Sequence, residues 1–278
     1  MAPSELQRLF TDRDAFRELV GASRPGTTVE LASLCGSALS LVAAGAAARL
    51  GGVHVFVMED KDAAGYLYND LYELEETCRP LFFPTGYKRS IQYGQEDPSG
   101  IVQRTAALNA LRGEDRGTLL LCTYPEAMAE KVVDRERLAR SILTLHTGDA
   151  LSIPFVEEAL VENRFERVDF VYEPGQYSIR GGIVDIFSYS DNKPCRIDFF
   201  GDEIDSIRPF DISTQLSTGR IDRVEIVPNL KEADAPQNRV SFARFAGPAT
   251  YWIADGEHTL RRIDDIRTKM LNELDEPS

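Results

Sequence analysis

Short alternations of apolar and polar residues, separated by turn residues, fill residues 172–215. Along residues 176–180, Tyr177 and Ile179 fall on one face and polar side chains, ending with Arg180, fall on the other. A period of two is that of a β-strand, and the turn residues between the runs predict tight connections. We predict an antiparallel meander with one packed face and one solvent-facing face. Its four strands are residues 176–180, 183–189, 196–200 and 203–210.

The rest of the chain alternates apolar runs with longer helical patterns. Residues 53–58 are almost wholly apolar, which is typical of a buried parallel strand. Residues 37–50 form an alanine-rich helix that the glycine pair at 51–52 ends. The alternation predicts a parallel α/β sheet. Further strands are predicted at 27–32, 79–83, 118–123 and 249–254, and helices at 3–22, 61–77, 99–112, 134–142, 153–163 and 259–274.

The order of these elements predicts the domain organisation and an α/β fold class. We expect a parallel-sheet, NTPase-like domain at residues 1–142 and a small α+β domain, built on the antiparallel sheet, inserted at residues 143–229. Residues 230–278 would return to the first domain. Polar segments predict a surface loop at 84–98 and a linker at 231–239.

The turn before the alanine-rich helix is where a nucleotide-binding domain places the loop G-x-x-x-x-G-K-[ST]. The corresponding run reads SLCGSALS, with Gly36 inside it. Ser33 and Ala38 stand at the two glycine positions, Leu39 replaces the lysine, and only Ser40 keeps the hydroxyl. Because leucine supplies no charge to a triphosphate, we predict a degenerate site without nucleotide binding.

Acidic residues after the apolar run 249–254 resemble the second half of a nucleotide site. Asp255 and Glu257 occupy this position, with a glycine between them, and we interpret them as remnants. The three histidines are far apart, no nucleophile motif occurs, and no cofactor is expected. The four cysteines are predicted to be free thiols of a cytoplasmic protein: Cys35, Cys78, Cys122 and Cys195.

The charge balance argues against direct DNA binding. The formal net charge is −14, and no long basic run occurs. The sequence also contains no apolar run long enough for a membrane helix and no signal peptide at its start. A protein partner is therefore the better prediction.

Two motifs carry a resemblance to a known family. The run EPGQYSIRGGIVDIF, followed by RIDFFGDEIDSIR and then F-D-x-x-T-Q, resembles the domain shared by the excinuclease subunit UvrB and the transcription-repair coupling factors (Mfd). The T-Q pair favours the coupling factors. The resemblance implies a docking site for the damage-recognition protein UvrA. It also implies that an ATP-dependent DNA translocase motor, which reaches RNA polymerase and DNA, would lie beyond residue 278.

The candidate docking residues are three arginines and one phenylalanine. The predicted meander places Arg180 and Arg196 on its polar face, and guanidinium groups suit protein interfaces. The resemblance aligns these two with positions that contact UvrA, with Arg167 in support and Phe187 as an apolar anchor. Because Gln176 and Ser178 offer Arg180 no strong anion, we expect Arg180 to play no part in stability.

Three alternatives remain open from the residues. The arginines could be ordinary solvated side chains, with Phe187 in the core. The chain could instead be an autoinhibitory or structural domain that masks the parent motor. An active NTP-dependent repair enzyme is disfavoured by Leu39.

Overall fold

The computed structural model describes residues 3–34, 36–74, 78–86, 98–113, 117–230 and 239–275. The chain divides into two compact units. The first unit comprises residues 1–84, 113–130 and 242–278, and the second comprises residues 85–112 and 131–241. Most of the predicted loop at 84–98, most of the predicted linker at 231–239, and Cys35 lie outside the described residues.

The helices, in chain order, are α1 Pro3–Thr11, α2 Asp14–Ala22, α3 Ala38–Leu50, α4 Lys61–Leu74, α5 Pro98–Arg112, α6 Pro125–Ala129, α7 Arg135–Ser141, α8 Ile153–Glu162, α9 Phe242–Ala246 and α10 Gly256–Asp275. The strands are β1 Val53–Val57, β2 Leu81–Phe82, β3 Leu119–Thr123, β4 Lys131–Val133, β5 Leu143–His146, β6 Glu166–Arg167, β7 Gln176–Arg180, β8 Ile183–Ile186, β9 Cys195–Phe200, β10 Glu203–Pro209, β11 Arg223–Ile226, β12 Arg239–Ser241 and β13 Thr250–Ile253.

The first unit is built on a parallel sheet, as the sequence predicts. Its strand order is β13-β1-β3-β2. Every residue of β1 is buried because this strand lies between two others and is apolar except for His54. The alanine-rich helix α3 is also largely buried, and it ends at Gly51, whose φ of 64° is the left-handed conformation favoured there by glycine.

Two predictions for the first unit are wrong. Residues 27–32 form no strand, and Val29 and Leu31 are exposed. In the described part of the chain, no strand pairs with these residues, and an unpaired strand is not stable. The predicted helix at 3–22 is two helices, α1 and α2, and Asp14 begins the second, where an acidic residue favours a helix N-terminus.

The second unit contains the predicted antiparallel meander. Its five-stranded sheet has the order β10-β9-β8-β7-β6, in which only β6 and β7 run parallel. Helix α8 packs on one face of this sheet, with Val156 and Leu160 in the same core as Tyr177, Val184 and Ile197. The chain therefore has a mixed α/β fold with a parallel sheet and separate antiparallel sheets. The short pairs β5–β11 and β4–β12 complete the unit, and neither pairing was predicted.

The second face of the meander is not open to solvent along its whole length, contrary to the prediction. Ser178 is buried there, and its hydroxyl donates to the Asp169 carbonyl at 2.9 Å. The segment between β6 and β7 folds back over the strand through Gly175, whose φ is 88°. A Cβ at Gly175 would collide with the Tyr189 ring, so only glycine fits.

Candidate functional site

The two arginines predicted to lie free on the polar face converge on one buried carboxylate. Arg196 donates from Nε to Asp185 Oδ1 at 2.8 Å and from Nη2 to Oδ2 at 2.9 Å. Arg180 Nη2 donates to the same Oδ2 at 2.6 Å. The Asp185 side chain is 1% exposed, whereas those of Arg180 and Arg196 are 39% and 17% exposed. The expectation that Arg180 has no strong anion nearby is therefore wrong.

Strand register creates this contact. The β8–β9 ladder places Asp185 opposite Arg196, and the β7–β8 ladder places Asp185 opposite Ser178. Arg180 lies two residues from Ser178, so it reaches Asp185 diagonally on the same face. The tight turn between β7 and β8 depends on Gly181, whose φ is 61°.

The outer nitrogens of both guanidinium groups are also held. Arg180 Nη1 donates to the Asp169 carbonyl at 3.2 Å, and Arg196 Nη1 donates to the Gln215 carbonyl at 3.3 Å. Each guanidinium lies over an aromatic ring, at 5.0 Å from the Phe170 centroid for Arg180 and 4.7 Å from that of Phe210 for Arg196. The hydrogen bonds to Asp185 raise the pKa of Arg196 above its ordinary value.

A second ion pair lies on this face. Arg208 pairs with Asp198, which also accepts from the Ser206 hydroxyl at 2.8 Å. Three guanidinium groups thus share two buried or partly buried carboxylates, and the exposed Glu203, opposite Phe200, is a third acidic residue on the same side of the sheet. Arg180 is the most exposed of the three guanidinium groups, so it is the one most accessible to a partner. We call the set Arg180, Asp185, Arg196, Asp198 and Arg208 the arginine face.

Phe187 is not the exposed anchor that was expected. Its side chain is 5% exposed and packs against Val171 and Phe210, because the segment that precedes β7 covers this part of the sheet. Two exposed aromatic residues lie at this face instead: Phe170, which is 52% exposed beneath the Arg180 guanidinium, and Phe200, which is 83% exposed on β9. The sequence contained the signal, since Arg196, Asp198 and Phe200 alternate on one face of β9.

Arg167 lies at the edge of the same sheet. Its Nη1 pairs with Glu157 Oε1 at 2.7 Å on the surface of the unit. Residues 167–170 and 178–180 line an open groove of about 680 Å³, which brings Arg167 and Arg180 to the two sides of one surface depression. Arg196 is not among the residues that line this groove.

The structure describes all residues but Cys35 of the run 33–40, the predicted degenerate phosphate loop. Ser33 and Gly36 have positive φ values, 65° and 56°, and α3 begins at Ala38. Ser40, the one retained hydroxyl, is buried and donates to Asp70 Oδ2 at 2.6 Å. Leu39 lies in the first turn of α3, half-buried.

The two acidic residues after β13 have local roles in α10. Asp255 Oδ1 accepts from the His258 amide at 2.9 Å, which is an N-cap contact. Glu257 pairs with Arg261 on the exposed side of the helix. Among the described residues, no three side chains of His, Cys, Asp or Glu are grouped to hold a metal ion. No helix in the described part of the chain is both long and apolar enough to span a membrane.

Comparison with known proteins matches part of the second unit to one family. A family model described as the UvrB interaction domain matches residues 143–231. This range contains the whole arginine face, Phe200, Arg167 and Phe187, but none of the residues of the degenerate phosphate loop.

The similarity to known proteins extends beyond residues 143–231. The transcription-repair-coupling factor of Bacillus subtilis (strain 168) is 27% identical over 225 residues, which cover 80% of this chain and 19% of that protein. The Escherichia coli (strain K12) factor is 26% identical over 200 residues, covering 71% and 17%. That of Haemophilus influenzae is 33% identical over 128 residues, covering 46% and 11%.

The resemblance to the UvrB-homology region of transcription-repair coupling factors, first noted from two motifs, is thus confirmed. The chain spans less than a fifth of the length of these three relatives.

Proposed function

We propose that this chain is a non-catalytic recruitment module, whose UvrB interaction domain docks UvrA during transcription-coupled nucleotide excision repair. RNA polymerase stalled at damaged DNA, and the DNA itself, would be reached through the rest of a longer parent protein. The family match and the names of the relatives support the repair context. The observation that carries the docking role is the arginine face, where the partly exposed Arg180 and Arg196 share a side of the sheet with the exposed ring of Phe200.

The physics of interfaces favours such a surface. Arginine and aromatic residues dominate binding hot spots, because guanidinium groups pair with carboxylates and rings bury large areas. Phe200 is 83% exposed, so a partner that covers it would bury most of its ring area.

The first unit supports the non-catalytic part of the proposal. Leu39 supplies no charge to a phosphate, and the Ser40 hydroxyl is already engaged by Asp70. Calorimetric titration of the chain with ATP and magnesium is therefore expected to give no heat of binding. A micromolar dissociation constant would contradict this part of the proposal and leave the docking role untouched.

Substitution of Phe200 tests the docking role. In biolayer interferometry with immobilised UvrA, Phe200→Ala is expected to weaken binding about 30-fold, the loss of about 2 kcal/mol typical of a hot spot. Tyr66→Ala, which removes a comparably exposed ring from the first unit, is the control and should bind as the wild type does. Unchanged affinity of Phe200→Ala, or no binding by the wild-type chain, would refute the proposal.

A further inference from the structure

A buried carboxylate at the centre of the arginine face has no access to a partner. Asp185 is 1% exposed, and its two oxygens accept three hydrogen bonds of 2.6 to 2.9 Å from Arg180 and Arg196. Both arginines, by contrast, retain exposed surface. Whatever Asp185 contributes to docking therefore passes through these two side chains.

An arginine on a surface strand has many rotamers, and holding it in one of them on binding costs free energy. Here the two side chains are already ordered before binding, because hydrogen bonds fix each guanidinium group at two points. Asp185 is one point for both, and the carbonyls of Asp169 and Gln215 are the others. Each arginine keeps at least two N–H groups outside these contacts, since a guanidinium carries five.

We infer that Asp185 is a positioning residue, which presets Arg180 and Arg196 so that their remaining N–H groups receive a carboxylate of the docking partner. The inference rests on the proposed docking of UvrA and adds the chemistry of the contact. Two guanidinium groups around one carboxylate leave one positive charge. An incoming aspartate or glutamate neutralises that charge and completes an alternating ring of two arginines and two carboxylates.

The UvrA affinity of Asp185→Asn, measured in the wild-type chain and in an Arg180→Ala chain, distinguishes a positioning role of Asp185 from a general structural role. Asp185→Asn keeps the shape of the side chain and removes its charge. It is expected to weaken UvrA binding on the order of 10-fold in the wild-type background, as outer-shell orienting carboxylates do. In the Arg180→Ala background, the factor by which Asp185→Asn weakens UvrA binding should be at least threefold smaller, because only Arg196 is left for Asp185 to position. An equal factor in both backgrounds would overturn the inference.

Glu225→Gln is the matched control. Glu225 is also a partly buried carboxylate of the second unit, and it also holds two arginines, Arg112 and Arg223, but it lies on β11 and not on the arginine face. Its substitution should leave UvrA affinity within threefold of the wild type. A loss equal to that of Asp185→Asn would mean that any weakened ion pair in the unit disturbs docking, and would overturn the inference.

A measurement on the wild-type chain without UvrA tests the fixed geometry of Arg196 separately from docking and without any variant that could misfold. In nitrogen-15 NMR spectra of the wild-type chain near neutral pH, the Arg196 Nε–H should give a signal protected from exchange with water. Its absence would overturn the positioning role even if UvrA binds. A protected signal in a chain that does not bind UvrA would refute the docking and the proposed carboxylate contact, while the fixed geometry would stand.

Discussion

Reversal of the charge at Arg180 should destabilise the second unit. A sequence-based view of the polar face predicted no effect, within the ~0.5 kcal/mol typical of surface substitutions. The Asp185 carboxylate, at 2.6 Å from Arg180 Nη2, changes that expectation. Arg180→Glu removes this charge-assisted hydrogen bond and puts a second negative charge next to a carboxylate that cannot leave the interior.

Two terms set the magnitude. Loss of a hydrogen bond to a charged group costs about 1.5–3 kcal/mol. The loss is reduced here because Arg196 keeps its own two hydrogen bonds to Asp185. Repulsion between carboxylates about 4 Å apart reaches about 4 kcal/mol at an effective dielectric constant near 20. Because position 180 is 39% exposed, a glutamate can turn towards water, and the repulsion falls to about 1 kcal/mol. We expect a total loss of about 2–4 kcal/mol in the free energy of unfolding.

Urea denaturation, followed by far-UV circular dichroism and by amide exchange of β8, measures this loss. Arg180→Ala should lose only the hydrogen-bond term, about 1–2 kcal/mol. The difference between the two variants should shrink as salt rises from ~0.05 to ~0.5 M, because salt screens the repulsion. Arg220→Glu, a charge reversal at an exposed position of the same unit, is the control and should stay within ~0.5 kcal/mol. Wild-type stability of Arg180→Glu would refute the pairing with Asp185.

Three further predictions concern titratable groups. Hydrogen bonds from the Ser213 hydroxyl and from neighbouring groups of the turn lower the pKa of Asp211 to about 2. The ionised Asp211 carboxylate therefore stabilises the fold above pH ~4, and this stabilisation is lost as pH falls towards 2. A carboxyl carbon NMR titration of Asp211 with a midpoint near pH 4 would contradict the prediction. Burial raises the pKa of Cys195 to about 12, so this thiol should resist a disulfide reagent at pH 8 until urea unfolds the chain. Burial lowers the pKa of His54, whose Nδ1 accepts from the Trp252 indole. The folded state then prefers neutral His54, and the thermal midpoint seen by Trp252 fluorescence should drop as pH falls below about 6.5; an unchanged midpoint at pH 5.5 would disprove this.

Much of the fold followed from local patterns. The almost wholly apolar residues 53–58 predicted a buried parallel strand, and the alternation across residues 176–210 predicted the meander, because burial on both faces or on one face dictates these patterns. The run at residues 27–32 shows the limit of this reasoning. Its alternation is that of a strand, but strand formation needs a partner, and no local pattern states whether one is present.

The candidate site divides in the same way. The sequence by itself determined that Arg180 and Arg196 share a face of the meander, since alternation assigns each residue to a side of its strand. It could not tell which residue lies opposite another, because register depends on pairing between distant segments. Only the tertiary structure placed Asp185 between the two arginines and covered Phe187 with the segment before β7. These two outcomes depend on contacts between strands and loops, which no period within a single strand encodes.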